Sequence, residues 1–496
     1  MKTDEILIYP RPLIPDRHRP VGRSALPGFS FALAATLSVL GGTGCAVGPD
    51  YVRPDLELPG AFRGAPAASA PGSLADLSWK DVFTDPVLRD LISTALANNL
   101  DLRIAITRIE QARAIQAQVF SGLFPQIGYE GAVARGKNSF LGGPKNNGGT
   151  TESAVYGGFT AIWEVDLWGR IRRLNEAALD RLLATEEARR GVAITLLSDV
   201  AQAYFDLLAL DERLKLARKA TNTFAETLAL FKDRLEGGKS SVLATSRAEG
   251  AFNNSAAQIH DLLRAVAEVE DEISVLLGTV PTSISRGMNL FEQALLPDVP
   301  VGLPSQLMER RPDILAAEFE VRARNAEVGA AIAEYFPRIG LTTLFGKVTP
   351  NSGLAVGSSM ANLWSAAASL SGPIFEGGRL QAQESQFRAQ WEESVLHYHK
   401  TVLVAFQEVS QSLIAREELA QAYDRRSQAV RAYELSVQTG NERFNAGKSS
   451  YYEVLESQQL LFPTQDALIL TRLGQLRTFV LLYKALGGGW PSKKAD

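Results

Sequence analysis

The chain has 496 residues, with 51 Lys and Arg against 55 Asp and Glu and a formal net charge of −4. That near balance argues against a nucleic-acid-binding surface. Four His and a single Cys exclude a cysteine-rich metal site and a disulfide framework. The length would hold two or three ordinary domains, but an internal repeat, set out below, points instead to two fused copies of one architecture.

Residues 1–28 are rich in Pro and Arg (Arg11, Arg17, Arg19, Arg23) and show no core pattern. Phe29 to Leu40 is apolar, and Gly41, Gly42, Thr43 and Gly44 lead to Cys45. A basic flank, a short apolar run and small residues describe a secretory signal over 1–44, too short for an ordinary membrane span. Because it ends at the only cysteine, the segment resembles a bacterial lipoprotein signal, with Cys45 the acylated (palmitate-bearing) first residue of the mature chain. The position three before Cys45 is Gly42, where such signals favour a branched residue, and a plain signal peptide is the alternative reading. Residues 45–85 then form a lipid-anchored, extended linker rich in Pro, Gly and Ala.

Asp85-Pro86 opens the first repeat, 86–280, with proline in the first helical turn. Two helical pieces, near 86–97 and 100–123, end at Phe124-Pro125. The period then changes. Ile127, Tyr129, Gly131 and Val133 alternate with Gln126, Gly128, Glu130 and Ala132. A tip rich in Gly and Asn follows. Beyond it Val155, Gly157, Phe159, Ala161, Trp163 and Val165 alternate with more polar neighbours. Strands are expected at about 126–136 and 153–166, long enough to cross a bilayer at a tilt. An amphipathic hairpin on a water-soluble core would alternate in the same way.

Arg170 to Glu236 is 67 residues without proline, about 100 Å if helical. Its seam Leu196, Val200, Ala203, Leu207, Leu210, Leu214, Ala217 has the 3.5-residue period of a coiled coil. Arg379 to Asn445 is a second proline-free stretch of the same length. Each begins with Gly-Arg and is followed by Gly-Lys-Ser-Ser, at 238–241 and 447–450. A returning helix follows each turn. A proline-rich loop, 281–311, joins the copies. The second repeat, 312–487, carries Phe336-Pro337 where the first has Phe124-Pro125, and its strands are expected at about 338–348 and 361–374. A tail, 488–496, closes the chain.

Four strands cannot close a barrel, and open strand edges are not tolerated in lipid. If the hairpins lie in a membrane, several chains must pool them, and three chains supply twelve strands. The rods would then prolong the barrel as a tube of helices.

At this point the residues resemble the TolC-type outer-membrane efflux factors, in the lipoprotein branch that includes the NodT-like proteins. The similar segments are Cys45 to Tyr51, Asp166-Leu167-Trp168-Gly169-Arg170, Arg310-Arg311-Pro312-Asp313, Phe336-Pro337, Pro373 to Arg379 and Leu486 to Trp490. They run in order through nearly all of the mature chain. The resemblance implies an α-helical protein with a small membrane β-barrel: a homotrimer whose twelve-stranded outer-membrane barrel continues into a long-helix α-barrel. It implies a passive exit duct for small molecules or drugs in a tripartite efflux system. That duct would be anchored in outer-membrane lipid and docked by a periplasmic adaptor and an inner-membrane pump.

In the resembled family the turns between long helices lie at the periplasmic tip. Here they contain Gly238 and Lys239, and Gly447 and Lys448, the expected adaptor-docking residues. Glu453 and Glu456, on a common helix face, match the acidic residues of the periplasmic gate; the bland alternative is a solvated face. The first copy has Ala244 and Arg247 at those places. Gly-Lys-Ser-Ser is not read as a phosphate loop, because Asp233 and Glu442 stand where that motif needs glycine. His397 and His399, two apart on a helix, face different ways and make no metal pair. No nucleophile, base and metal cluster appears, so neither enzyme activity, cofactor nor nucleic-acid partner is expected. A periplasmic lipid-anchored coiled-coil adaptor or scaffold without a pore is the competing reading; it has no need of four bilayer-length strands.

Overall fold

A computed structural model describes residues 46–56, 59–65, 73–137, 151–295, 302, 304–348 and 360–488, without the side chains of 134–137 and 151–154. The signal segment, Cys45, both hairpin tips and nearly all of the C-terminal tail lie outside the described residues. Seven helices and four strands carry the architecture: α1 (Pro86–Asn98), α2 (Leu100–Ser121), β1 (Gln126–Lys137), β2 (Thr151–Val165), α3 (Arg170–Glu236), α4 (Val242–Leu276), α5 (Pro312–Ala333), β3 (Arg338–Val348), β4 (Ala361–Ser371), α6 (Arg379–Asn445) and α7 (Tyr451–Ala485). Both rods, α3 and α6, are 67 residues long.

The local chemistry explains where these elements start and stop. Asp85 caps α1, accepting from Val87 N at 2.9 Å, with Pro86 at the first position where no N–H is needed. Asn99 caps α2 through Leu102 N (3.0 Å) and donates to Leu276 O (3.0 Å), which seats the end of α4 below the start of α2. The coiled-coil seam lies inside: Leu196, Val200, Ala203, Leu207, Leu214 and Ala217 are buried and Leu210 is half-buried. One window of α3 is apolar and long enough to cross a membrane, but 72% of it is buried within the protein. It is core, not a span.

Helix packing follows the duplication. α3 packs on α2, α4 and α5, α5 on α6, and α6 on α7, with α7 also touching α3. The wall therefore reads α2–α3–α5–α6 near the sheet and α4–α3–α7–α6 far from it. Two buried polar knots hold its middle. The carboxylate of Asp85, fully buried, also accepts from Tyr204 Oη (2.9 Å), Met288 N (3.0 Å) and Gln293 Nε2 (2.8 Å). Buried Arg311 bonds Asp313 at 2.6 Å, Glu408 of α6 at 2.7 Å and the Ala485 carbonyl that ends α7 at 2.9 Å. Arg310-Arg311-Pro312-Asp313 is thus a clasp between helices as well as a helix start.

The sheet order is β1-β2-β3-β4, antiparallel throughout. Three details differ from expectation. β2 starts at Thr151, two residues earlier than expected. β4 ends at Ser371, short of 374, because Gly372 lies against Pro337 and Pro373 has no N–H to extend the ladder. The inter-repeat loop also contains a short helix, Pro304–Arg310.

Candidate functional site

Pairing across the sheet puts Tyr129, Phe159, Phe345 and Trp364 directly opposite one another in a row through all four strands. They are 89, 65, 69 and 75% exposed. Opposed residues share a face, and Ile127, Val133, Ala161, Leu341, Ala366, Ala368 and Leu370 stand on the same one. The other face carries Gln126, Glu130, Thr160, Glu164, Arg338, Ser365 and Ser369. Ile162, Leu344 and Leu363 also stand on this second face, and Thr343, Lys347 and Asn362 on the first, so strands of 11 to 15 residues present one mostly apolar and one more polar face, which suits a wall between lipid and water. The outer edges of β1 and β4 have no partner within the described residues of the chain.

The chain's first described residues are strapped beside this sheet. Gly169, four positions past β2, has φ 80°, and a Cβ there would stand 2.7 Å from Ala46 Cα. Val47 N donates to Trp168 O (3.0 Å), Arg173 reaches Asp50 (3.0 Å) and Asn325 donates to Pro49 O (2.9 Å). Gly48, at φ 103°, passes so close to Gly329 that a Cβ would come within 2.4 Å of its Cα. Further on, Tyr51, Arg53 and Arg322 converge on the buried carboxylate of Glu318. Burial pushes that carboxyl up, but the two guanidinium groups outweigh it and hold it below its usual range. The linker is therefore a bonded strap, a role that composition alone did not reveal. The residue after Cys45 is pinned at the helix-side boundary of the sheet.

The far end of the rods holds the other predicted residues. Gly238 and Gly447 have φ 68° and 69°. Lys239 N returns to Arg234 O at 2.7 Å, and Lys448 N to Arg443 O at 2.9 Å. These are two copies of one αL helix ending. Nothing lies within 4 Å of a Cβ built on either glycine, so backbone conformation, not space, demands glycine. Lys239 and Lys448 are exposed. Glu453 and Glu456 are exposed on the first turns of α7. Glu453 lies 3.7 Å from Arg443, a half-exposed pair worth little to stability.

One residue there was not anticipated. Tyr451, first in α7, stands edge-on to Phe231 (centroids 5.5 Å) and to Phe444 (4.9 Å). Its hydroxyl is 2.8 Å from Thr227 Oγ1, and Arg234 covers Phe444 at 4.7 Å. Phe231, Thr227 and Arg234 belong to the first rod, Phe444 to the second. The cluster therefore fastens the two helical hairpins of one chain at their tips. Phe224–Phe462 (5.5 Å) and Arg213–Asp466 (2.6 Å) fasten them again higher up, beside a cavity of about 330 Å³ that Pro463 also lines. The available signal was the repeat: Val242 occupies the first-copy position of Tyr451.

A two-faced strand sheet prolonged by paired 67-residue rods defines an outer-membrane duct that reaches into the periplasm. More particularly, the chain belongs to the family described as Outer membrane efflux protein, whose profile matches residues 91–279 and 303–488, one stretch per repeat. It is 35% identical over 469 residues to the toluene efflux pump outer membrane protein TtgC of Pseudomonas putida, covering 92% of this chain and 95% of that protein. It is 31% identical to the cation efflux system protein CusC of Escherichia coli K12, over 90% and 97% of the two chains. Among solved structures, the open state of the Neisseria gonorrhoeae MtrE outer membrane channel matches with a TM-score of 0.80 at 29% identity, over 90% and 98% of the chains. These relatives are efflux channels and not enzymes. The protein is an outer-membrane channel of the tripartite efflux type, and the pore-free adaptor reading falls.

Proposed function

We propose that three copies of the chain pool their sheets into one twelve-stranded barrel, with the apolar row of Tyr129, Phe159, Phe345 and Trp364 toward lipid. The observation that supports this most is a bilayer-length sheet whose two edges have no partner among the described residues. Unsatisfied N–H and C=O groups on such edges cost several kcal/mol each in hydrocarbon, as a general estimate. Joining β4 of one copy to β1 of the next removes every edge. Acylated Cys45 anchors the chain in the same membrane, which fits Ala46 pinned beside the sheet.

The duct is passive and needs no cofactor or metal of its own. A periplasmic adaptor docks on the tips at Gly238, Lys239, Gly447 and Lys448, and an inner-membrane pump supplies the energy. The names of TtgC and CusC span toluene and cations, so the shared duct is permissive and the pump selects. Small organic molecules or drugs are the proposed cargo, since the name of the more similar TtgC gives toluene. Glu453 and Glu456 form two rings of three carboxylates on the axis, which attract cations and repel one another. The test is conductance in planar bilayers. Glu453→Ala/Glu456→Ala should lose cation preference and divalent-ion block, and a variant with unchanged selectivity and block would remove those residues from the gate.

A further inference from the structure

The sheet passes into the rods at two junctions in each chain, and the repeat makes them counterparts. At the first, where β2 passes into α3, Trp168 stacks on Phe336 of the α5–β3 corner with ring centroids 4.7 Å apart, and its Nε1 donates to Pro337 O at 2.8 Å. At the second, where β4 passes into α6, no such cover exists among the described residues. Ile374 and Phe375 are 102 and 88% exposed there. The corner equivalent to Phe336-Pro337 is Phe124-Pro125, at the end of α2. Phe124 is 53% exposed and Phe120, edge-on to it at 5.3 Å, is 42% exposed. Two apolar surfaces are thus left bare, one on each outer flank of the chain.

The topology says what should cover them. β2 pairs with β3, and α3 packs on α5, which brings Trp168 to Phe336. The same step taken once more runs from β4 to a following β1 and from α6 to a following α2. It brings the 374–375 loop to a Phe120-Phe124 corner that this chain does not itself supply on that side. We propose that Ile374 and Phe375 of one subunit close over Phe120 and Phe124 of the next copy, covering that corner as Trp168 covers Phe336 within one chain, from a neighbouring position, since Gly377 stands at the place of Trp168. The contact is heterologous and closes into a ring at three copies. It rests on the three-copy reading given above. The intrachain junction has the Ala46–Val47 strap as a further support, whereas a Cβ at Gly377 or Gly378 meets nothing within 4 Å. The neighbour's aromatic corner is therefore the main cover of the second junction, and lipid is the rival occupant.

The experiment pairs Phe375→Cys with Phe124→Cys, and separately with Phe120→Cys, in full-length protein in outer-membrane preparations. A short bis-maleimide should link at least one pair into covalent dimers and trimers, while each single variant stays uncrosslinked. Native mass spectrometry of the same preparations reads assembly independently. Intact trimers without crosslinks would overturn this contact and leave the three-copy reading standing; absence of trimers would overturn both. Should the paired variants fail to reach the membrane, Phe375→Trp reads the same surface. With the lipid-facing Trp364 replaced by Phe in both proteins, the emission added over the Phe375 parent is expected to be shielded from brominated phospholipid, and strong quenching of that added emission would give the surface to lipid.

Discussion

Tyr451 makes the sharpest demand on the proposed gate. If its cluster holds the two hairpins of each subunit together, removing it should favour the open tip. Tyr451→Phe deletes only the hydroxyl contact with Thr227, seen at 2.8 Å, worth about 1 kcal/mol. Tyr451→Ala also deletes the ring pairs with Phe231 and Phe444, at about 0.5–1.5 kcal/mol each, for a total of about 3 kcal/mol. A factor of ten costs about 1.4 kcal/mol, so the closed-to-open ratio should fall about fivefold in the first variant and about a hundredfold in the second. Single-channel recording gives that ratio directly as time in the high-conductance state. Thr227→Ala should match Tyr451→Phe, and combining the two should add almost nothing. Wild-type gating in Tyr451→Ala, from channels of normal thermal stability, would refute the latch.

The two tip glycines should behave alike despite their different neighbours. Gly238→Ala and Gly447→Ala each force a side chain into the left-handed region with no clash to relieve, at about 1 kcal/mol; tip amides should exchange about fivefold faster by hydrogen–deuterium exchange, and a larger effect in one copy would show a contact missing from this account. Burial, with a smaller push from Glu176 and opposition from Arg322, raises the Asp180 carboxyl to about 6. Its charged form is therefore the one the fold penalises. The native state takes up its proton before the unfolded chain does, so this group's contribution to stability rises as pH falls through 6 toward the ordinary value near 3.8. Asp180→Asn should raise the melting temperature at pH 8 and lose that advantage by about pH 4; a gain that persists at pH 4 would contradict the assignment.

Periodic features were legible in the chain. The rods show themselves as proline-free stretches with a 3.5-residue seam, because a coiled-coil core repeats one contact many times. The αL turns show as Gly-Lys-Ser-Ser, because glycine is needed for backbone reasons that composition carries. Single contacts between distant segments were not legible. Nothing in Tyr51 or Arg53 announces Glu318, more than 260 residues on, and nothing in Asp85 beyond its capping role announces Tyr204 or Gln293. Tyr451 looks like one more helix residue until Phe231 and Phe444 are placed around it. Pro463, inside α7, would be expected to break a helix. The helix runs through it, packed through Phe462 against Phe224, so tertiary contact overrides local preference.

In the proposed assembly the sheet edges left open in one chain are closed by other copies. Native mass spectrometry of the intact, detergent-extracted protein tests it most directly. A single assembly of three chains that survives mild activation is expected. A stable, folded monomer as the main species, with β1 and β4 still unpaired, would contradict it.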